Sequence, residues 1–245
     1  MTDGWQTEFD DRGFTILRGV IDHEAIDRAK QLSDRLWNAW REGTAAEGLE
    51  DVKVLERDRD GLGKTLDAIQ GGYKRFPELQ ALRKHSAILK LLEPRLGAEL
   101  VSAVDTLFFK PPNQPDTGIA YHRDAQFRRP AEKFRDLETK YVQIGFPLEK
   151  HGRENGGLVL IPHSHKDPSI DAVQTKSVRG AGDLSDTLSV DESHAECAEM
   201  LPGDIVLWHP HTIHGSNPNR SAERSRRFFV VGYMSASSCD AGAVV

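Results

Sequence analysis

Five short apolar runs, at residues 100–110, 140–148, 157–161, 204–208 and 226–234, follow one another with turn-forming residues between them, and this spacing does most to restrict the fold. Upstream, 13–18 reads as another short strand. Asp22 can then cap a helix whose apolar positions Ile26, Ala29, Leu32, Leu36 and Trp40 recur at helical spacing. Residues 76–96 suggest one or two further helices, ended by Gly97. Early helices followed by many short strands point to a mainly β domain, an antiparallel sandwich or barrel with helices against one sheet.

Three stretches carry no such pattern. Residues 41–67 are dominated by charge and glycine, as in Glu56-Arg57-Asp58-Arg59-Asp60-Gly61, and are expected to form a mobile loop, either a solvated connection or a substrate lid. Residues 164–195 are polar and aperiodic. They join two strands near the mouth of such a barrel and are expected to enclose substrate and become ordered on binding, the alternative being a solvated insertion. Residues 235–245, rich in Ser and Ala, are expected to fray.

No linker or repeat divides the 245 residues, so one domain is expected. A formal charge of −6 argues against a protein that coats nucleic acid. No apolar run approaches the roughly 20 residues needed to span a bilayer, and the polar start Met1-Thr2-Asp3-Gly4 is not a signal peptide. With only Cys197 and Cys239, a disulfide framework is not expected, and a reducing, cytoplasmic setting is.

The chemistry concentrates in His122-Arg123-Asp124, in His214-Gly215-Ser216-Asn217, and in Arg226 beyond them. Residues i and i+2 of an extended segment project to one face, so His122 and Asp124 can converge on one ion while Arg123 points away. Two imidazoles and one carboxylate make a facial triad that leaves half of an octahedral iron(II) open, and they disfavour the thiolate sites of structural zinc. On the residues alone, His209, His211, His163, His165 and His151 compete with His214 for the third position.

Three segments read together resemble the phytanoyl-CoA dioxygenase family of iron(II)- and 2-oxoglutarate-dependent oxygenases. They are Tyr121-His122-Arg123-Asp124; Asn155-Gly156-Gly157-Leu158-Val159-Leu160-Ile161-Pro162-His163-Ser164-His165-Lys166; and Pro202-Gly203-Asp204 through Trp208-His209-Pro210 to His214-Gly215-Ser216-Asn217-Pro218-Asn219. The resemblance implies a double-stranded β-helix (jelly roll) core at about 100–234, with a helical buttress at about 20–96. It also implies Fe(II) as the metal, 2-oxoglutarate as cosubstrate and O2 as oxidant. The metal ligands it implies are His122, Asp124 and His214, with His209 matching a family histidine that is not a ligand.

The same resemblance implies that an arginine opening the last core strand holds the distal carboxylate of 2-oxoglutarate. The family's offset falls on Ser225, and a one-residue insertion in the preceding turn moves the match to Arg226. Arg227 would face the other side of the strand, and Arg224 would lie in the turn. Ser216 and Thr106 match two further cosubstrate contacts. A family lysine falls near Ala68 and a family aromatic falls at Gly145, so both are lost. Gln143 either replaces one of these contacts or faces outward, the commoner place for a polar strand residue.

Hydroxylation of a C–H bond of a small metabolite or natural product, with release of succinate and CO2, is the expected reaction. The carboxylate of Asp124 argues against halogenation, which needs that position open, but desaturation, ring formation and epimerisation use the same site. Arg123, Arg128 and Arg129 either face solvent, as loop charges usually do, or meet an anionic substrate. The alternatives are a cupin-like metal isomerase or hydrolase that does not use 2-oxoglutarate, and a non-catalytic jelly-roll binding module.

Overall fold

In a computed structural model, which describes residues 4–44, 49, 52–59, 63–114, 117–167, 179–181 and 192–245, the chain forms two facing sheets with helices on one side. The elements are α1 (Trp5–Arg12), β1 (Phe14–Leu17), α2 (His23–Arg41), β2 (Lys53–Arg59), β3 (Gly63–Gln70), α3 (Pro77–Arg83), α4 (Ser86–Leu96), β4 (Leu100–Lys110) and β5 (Gly118–His122). There follow α5 (Leu137–Lys140), β6 (Tyr141–Pro147), β7 (Leu158–Leu160), β8 (Arg179–Ala181), β9 (Glu196–Cys197), β10 (Ile205–Trp208), β11 (His214–Ser216), β12 (Arg226–Ser235) and β13 (Ala243–Val244).

The larger sheet runs β1-β10-β6-β12-β4-β3-β2, with β13 also on β4, and the smaller runs β8-β5-β11-β7-β9. Every pairing is antiparallel, giving a jelly roll. Strand alternation divides the core in two. Phe229, Val231 and Tyr233 of β12 and Ile205 and Leu207 of β10 pack outward against Ile26, Ala29 and Leu32 of α2 and Leu91 and Leu92 of α4. Phe228 and Val230, with Val206 and Trp208, point inward between the sheets. Asp22 caps α2 by accepting from the Ala25 N–H at 2.8 Å. Each fully buried Ile or Leu on that stripe contributes roughly 1.5–3 kcal/mol.

Two expectations are corrected. Residues 41–67 are not simply a loop, because β2 and β3 form an antiparallel hairpin at the edge of the larger sheet. The charges that read as solvated connection are cross-strand partners: Arg57 pairs with Asp67 at 3.0 Å and Lys64 with Glu56 at 3.5 Å, while Leu66, Ala68 and Ile69 are buried. Nor does the C-terminal segment fray. β13 pairs with β4, Cys239 is buried, and the buried Arg83 guanidinium donates to the carbonyls of Ala243 and Val244 at 2.7 and 2.6 Å. Most of the expected substrate enclosure at 164–195 lies outside the described residues. Within it, β8 pairs with β5, the strand that ends in His122.

Candidate active site

β5 and β11 pair so that His122 and His214 stand directly opposite each other, their ring centroids 4.2 Å apart. Each ring is fixed by its own strand: Nδ1 of His122 donates to the Ala120 carbonyl at 2.7 Å, and Nδ1 of His214 to the Thr212 carbonyl at 2.9 Å. That choice of tautomer leaves both Nε2 lone pairs facing Asp124, at 4.0 Å from Oδ1 for His122 and 3.7 Å from Oδ2 for His214. After Arg123, which is extended, Asp124 starts a 3-10 turn. Arg123 points away, its guanidinium donating to the carbonyls of Ser164, His211 and Asp167.

All three residues are buried, and their ligand atoms lie within 4.8 Å of one another. Burial alone would raise the Asp124 pKa, but His214, Arg128, His122 and the indole N–H of Trp208, which donates to Oδ2 at 2.9 Å, together hold it below the usual value. An ionised carboxylate and two neutral imidazoles suit a divalent metal of borderline softness. Of the five competing histidines, four have a ring nitrogen bonded elsewhere, His165 Nε2 reaching the Asp10 carbonyl at 3.1 Å, and His211 lies outside the cluster of ligand atoms. His209 Nε2 donates to the Glu138 carbonyl while its Nδ1 accepts the His211 N–H, His151 accepts the Leu158 N–H, and His163 reaches the Asp11 carbonyl.

The triad opens into a cavity of about 490 Å³ between the sheets. Arg226 stands at one end of it, buried, with Nε and Nη2 donating to the Gly156 carbonyl at 3.0 Å each and Nη1 making no hydrogen bond among the described residues. Burial lowers its pKa to about 9, so it stays charged at neutral pH. Arg227 turns to the other face to pair with Glu149 at 2.9 Å and with Asp34, and Arg224 pairs with Glu154 in the turn. Alternation along β12 therefore puts Arg226 and Arg227 on opposite faces, with Arg224 in the turn before them. Thr106 and Ser216 also line the cavity.

Lys110 was not foreseen. It pairs with Arg226 across β4 and β12, shares the inward face of β4 with Thr106 and Phe108, and is buried. Its Nζ donates to Ser216 Oγ at 2.7 Å and to the Asn217 carbonyl at 2.6 Å. Burial, followed by Arg226, pushes its pKa well down. Period-two alternation from Thr106 was the available signal; the residue read instead as the strand end before Pro111-Pro112. The aromatic missing at Gly145 comes from the neighbouring strand, where the Phe228 ring fills the space that a Cβ at Gly145 would need. Ala68 is buried beside Phe108.

Two polar residues lie on the other side of their strand or loop from the solvent-facing reading. Gln143 is buried in the cavity wall and accepts a hydrogen bond from the Tyr141 hydroxyl. Arg128 is buried too, bonded to the same phenol, whereas Arg129 is exposed.

Residues 9–228 match the profile of the Phytanoyl-CoA dioxygenase (PhyH) family. The chain belongs to that family. A curated relative of this PhyH chain, from Stutzerimonas stutzeri, is a probable alpha-ketoglutarate-dependent hypophosphite dioxygenase, 24% identical over 95% of this chain and 78% of the relative. A second, the 1-deoxypentalenic acid 11-beta-hydroxylase of Streptomyces arenae, is 26% identical over 88% of this chain and 74% of its own. The fold is similar to that of EctD from S. alaskensis, crystallised with 2-oxoglutarate and 5-hydroxyectoine, with a TM-score of 0.74 at 17% identity over 97% of this chain and 77% of that one. The PhyH chain is an iron(II)- and 2-oxoglutarate-dependent oxygenase that uses O2. No helix among its described residues is long and apolar enough to cross a membrane.

Proposed function

We propose that residues 1–245 act as one dioxygenase domain in the cytoplasm, hydroxylating a C–H bond of a small metabolite or natural product with release of succinate and CO2. His122, Asp124 and His214 hold the iron(II), and Arg226, Ser216 and Thr106 hold the 2-oxoglutarate. When bound, the iron supplies activation of O2, coupled to oxidative decarboxylation of the cosubstrate. The observation that carries the reading is the buried, charged Arg226 in the same cavity as the triad.

In this reading the protein positions groups and excludes water. Ala120 and Thr212 set the imidazole tautomers through their carbonyls, and Trp208 holds one carboxylate oxygen of Asp124. The Arg226 fork, steadied by the Gly156 carbonyl, presents its remaining N–H groups to the distal carboxylate. Phe108, Leu158, Phe228 and Val230 line the cavity with apolar surface. Relatives named for hypophosphite and for 1-deoxypentalenic acid support a small substrate.

Anaerobic titration with iron(II) and 2-oxoglutarate tests this directly, through the weak visible charge-transfer band of the chelate. A saturable band in the wild type, lost in His122→Ala and displaced to higher 2-oxoglutarate in Arg226→Ala, is the expected result. Iron binding with no band at any 2-oxoglutarate concentration would instead favour an isomerase or hydrolase using the same ligands.

A further inference from the structure

A second buried guanidinium lines the cavity, at the opposite end from Arg226. Arg128 Nε and Nη2 donate to the Tyr141 hydroxyl oxygen at 3.2 and 2.7 Å, while Nη1 makes no hydrogen bond and the side chain no ion pair among the described residues. The phenol cannot serve as counter-ion. Burial raises its pKa far beyond neutral, and its proton is given to Gln143 Oε1. Asp124 is the nearby opposite charge, but it faces His122 and His214 and does not contact the guanidinium. Asp124 offsets the burial of this cation from a distance, yet its only hydrogen-bond partner is neutral, so the guanidinium keeps an N–H group and a full charge for an anion that makes direct contact.

The strand beneath this group is shaped to admit it. A Cβ at Gly232 would overlap the Tyr141 hydroxyl and meet Gln143 Oε1 at 2.7 Å, so only glycine leaves room for the pair that orients Arg128. Gly232 lies six positions along β12 from Arg226, roughly 20 Å at the rise of an extended strand. The triad sits on the facing sheet, so the cavity has a cationic group at either end.

The charge balance points the same way. Lys53, Arg128 and Arg226 bring three positive charges to the cavity lining and Asp124 one negative, leaving two positive. Iron(II) and the 2-oxoglutarate dianion cancel each other, so that excess persists once both are bound. We propose that Arg128 recognises an anionic oxygen group of the substrate, a carboxylate or a phosphorus oxyanion, and so holds the reactive bond toward the metal. This rests on the oxygenase reading of the site given above.

The test uses the protein loaded anaerobically with iron(II) and saturating 2-oxoglutarate, with perturbation of the charge-transfer band as the readout. The probes are butyrate, methylphosphonate and, as a neutral isostere, butyramide. At least one anion should bind tenfold or more tightly than butyramide, and whether butyrate or methylphosphonate does so separates the two sources. Arg128→Met should erase that preference while leaving half-saturation by 2-oxoglutarate within about twofold, and Arg128→Lys should retain part of it. Tyr141→Phe, which removes the hydroxyl that orients the guanidinium, should weaken the preference, and Arg128→Gln, which should erase it, decides the matter if Arg128→Met does not fold. Equal binding of butyramide and both anions to the wild type, or an undiminished preference in Arg128→Met, overturns the proposal. A normal band that no anion perturbs removes this proposal alone, whereas absence of any band removes the oxygenase site and the proposal with it.

Discussion

Lys110 Nζ donates to Ser216 Oγ at 2.7 Å, so the serine hydroxyl accepts from the lysine and keeps its own proton for a different partner. Ser216 lines the cavity, and no acceptor for that proton exists among the described residues. In the proposed reading, that proton is the one the hydroxyl offers to the distal carboxylate of 2-oxoglutarate beside Arg226.

Lys110→Met should therefore weaken 2-oxoglutarate binding, by about 1–3 kcal/mol for the buried hydrogen-bond partner it removes. Ser216→Ala should weaken it less. In the double variant the two losses should fall short of their sum, because the lysine acts partly through the serine. Titration of the iron(II) chelate gives all four affinities, and strict additivity would show that the two residues act separately.

Arg226→Lys keeps charge without the fork, and Arg226→Ala leaves the carboxylate without its partner. Affinity for 2-oxoglutarate should fall in that order, by roughly 2–5 kcal/mol for the alanine form. Arg227→Ala should change stability instead, since its partners are Glu149 and Asp34. The opposite pattern would place the cosubstrate on the other face of β12.

His214→Ala should abolish turnover and weaken iron binding with the fold retained. His209→Ala should keep iron binding and lose stability, because both ring nitrogens of His209 are hydrogen-bonded to backbone. Iron stoichiometry and thermal unfolding of the two variants separate these outcomes. Retained iron in His214→Ala with loss in His209→Ala would move the metal site.

His209 also sets a pH dependence. Burial holds its pKa down to about 3, whereas in the unfolded chain it titrates near 6.5. Between those values the unfolded state takes up a proton that the folded state refuses. Its contribution is fully present above pH 6.5 and is lost as pH falls toward 3, up to roughly 5 kcal/mol. Urea unfolding at pH 7 and pH 4.5 should show a smaller acid loss in His209→Asn than in wild type, and equal losses would remove His209 as the cause.

His122 and Asp124 were legible from their i, i+2 spacing, whereas His214 was set apart from five other histidines only by the family resemblance, and the structure brings the three together. Arg226 was singled out by the same resemblance, and alternation explains why it faces the cavity while Arg227 does not. Lys110, Gln143 and Arg128 were not legible, since whether a polar residue faces solvent depends on which strand lies across from it. Phe228 filling the space at Gly145 is a relation between strands that no local pattern encodes. The β2–β3 hairpin was missed for a related reason: Arg57 and Asp67 look like loop charges until the strands pair. The C-terminal segment looked frayed because the guanidinium that binds it, Arg83, is contributed by α3.

The Trp208 indole and the Asp124 carboxylate it holds are 84 positions apart in sequence, and they belong to segments on opposite sides of the cavity. A site assembled from such distant pieces cannot exist in a partly folded chain. Its formation must come late, after the slow closing of long loops. Iron that binds only the finished site would then favour the native state by mass action, so cellular metal supply would govern how much of this protein survives as well as how fast it works.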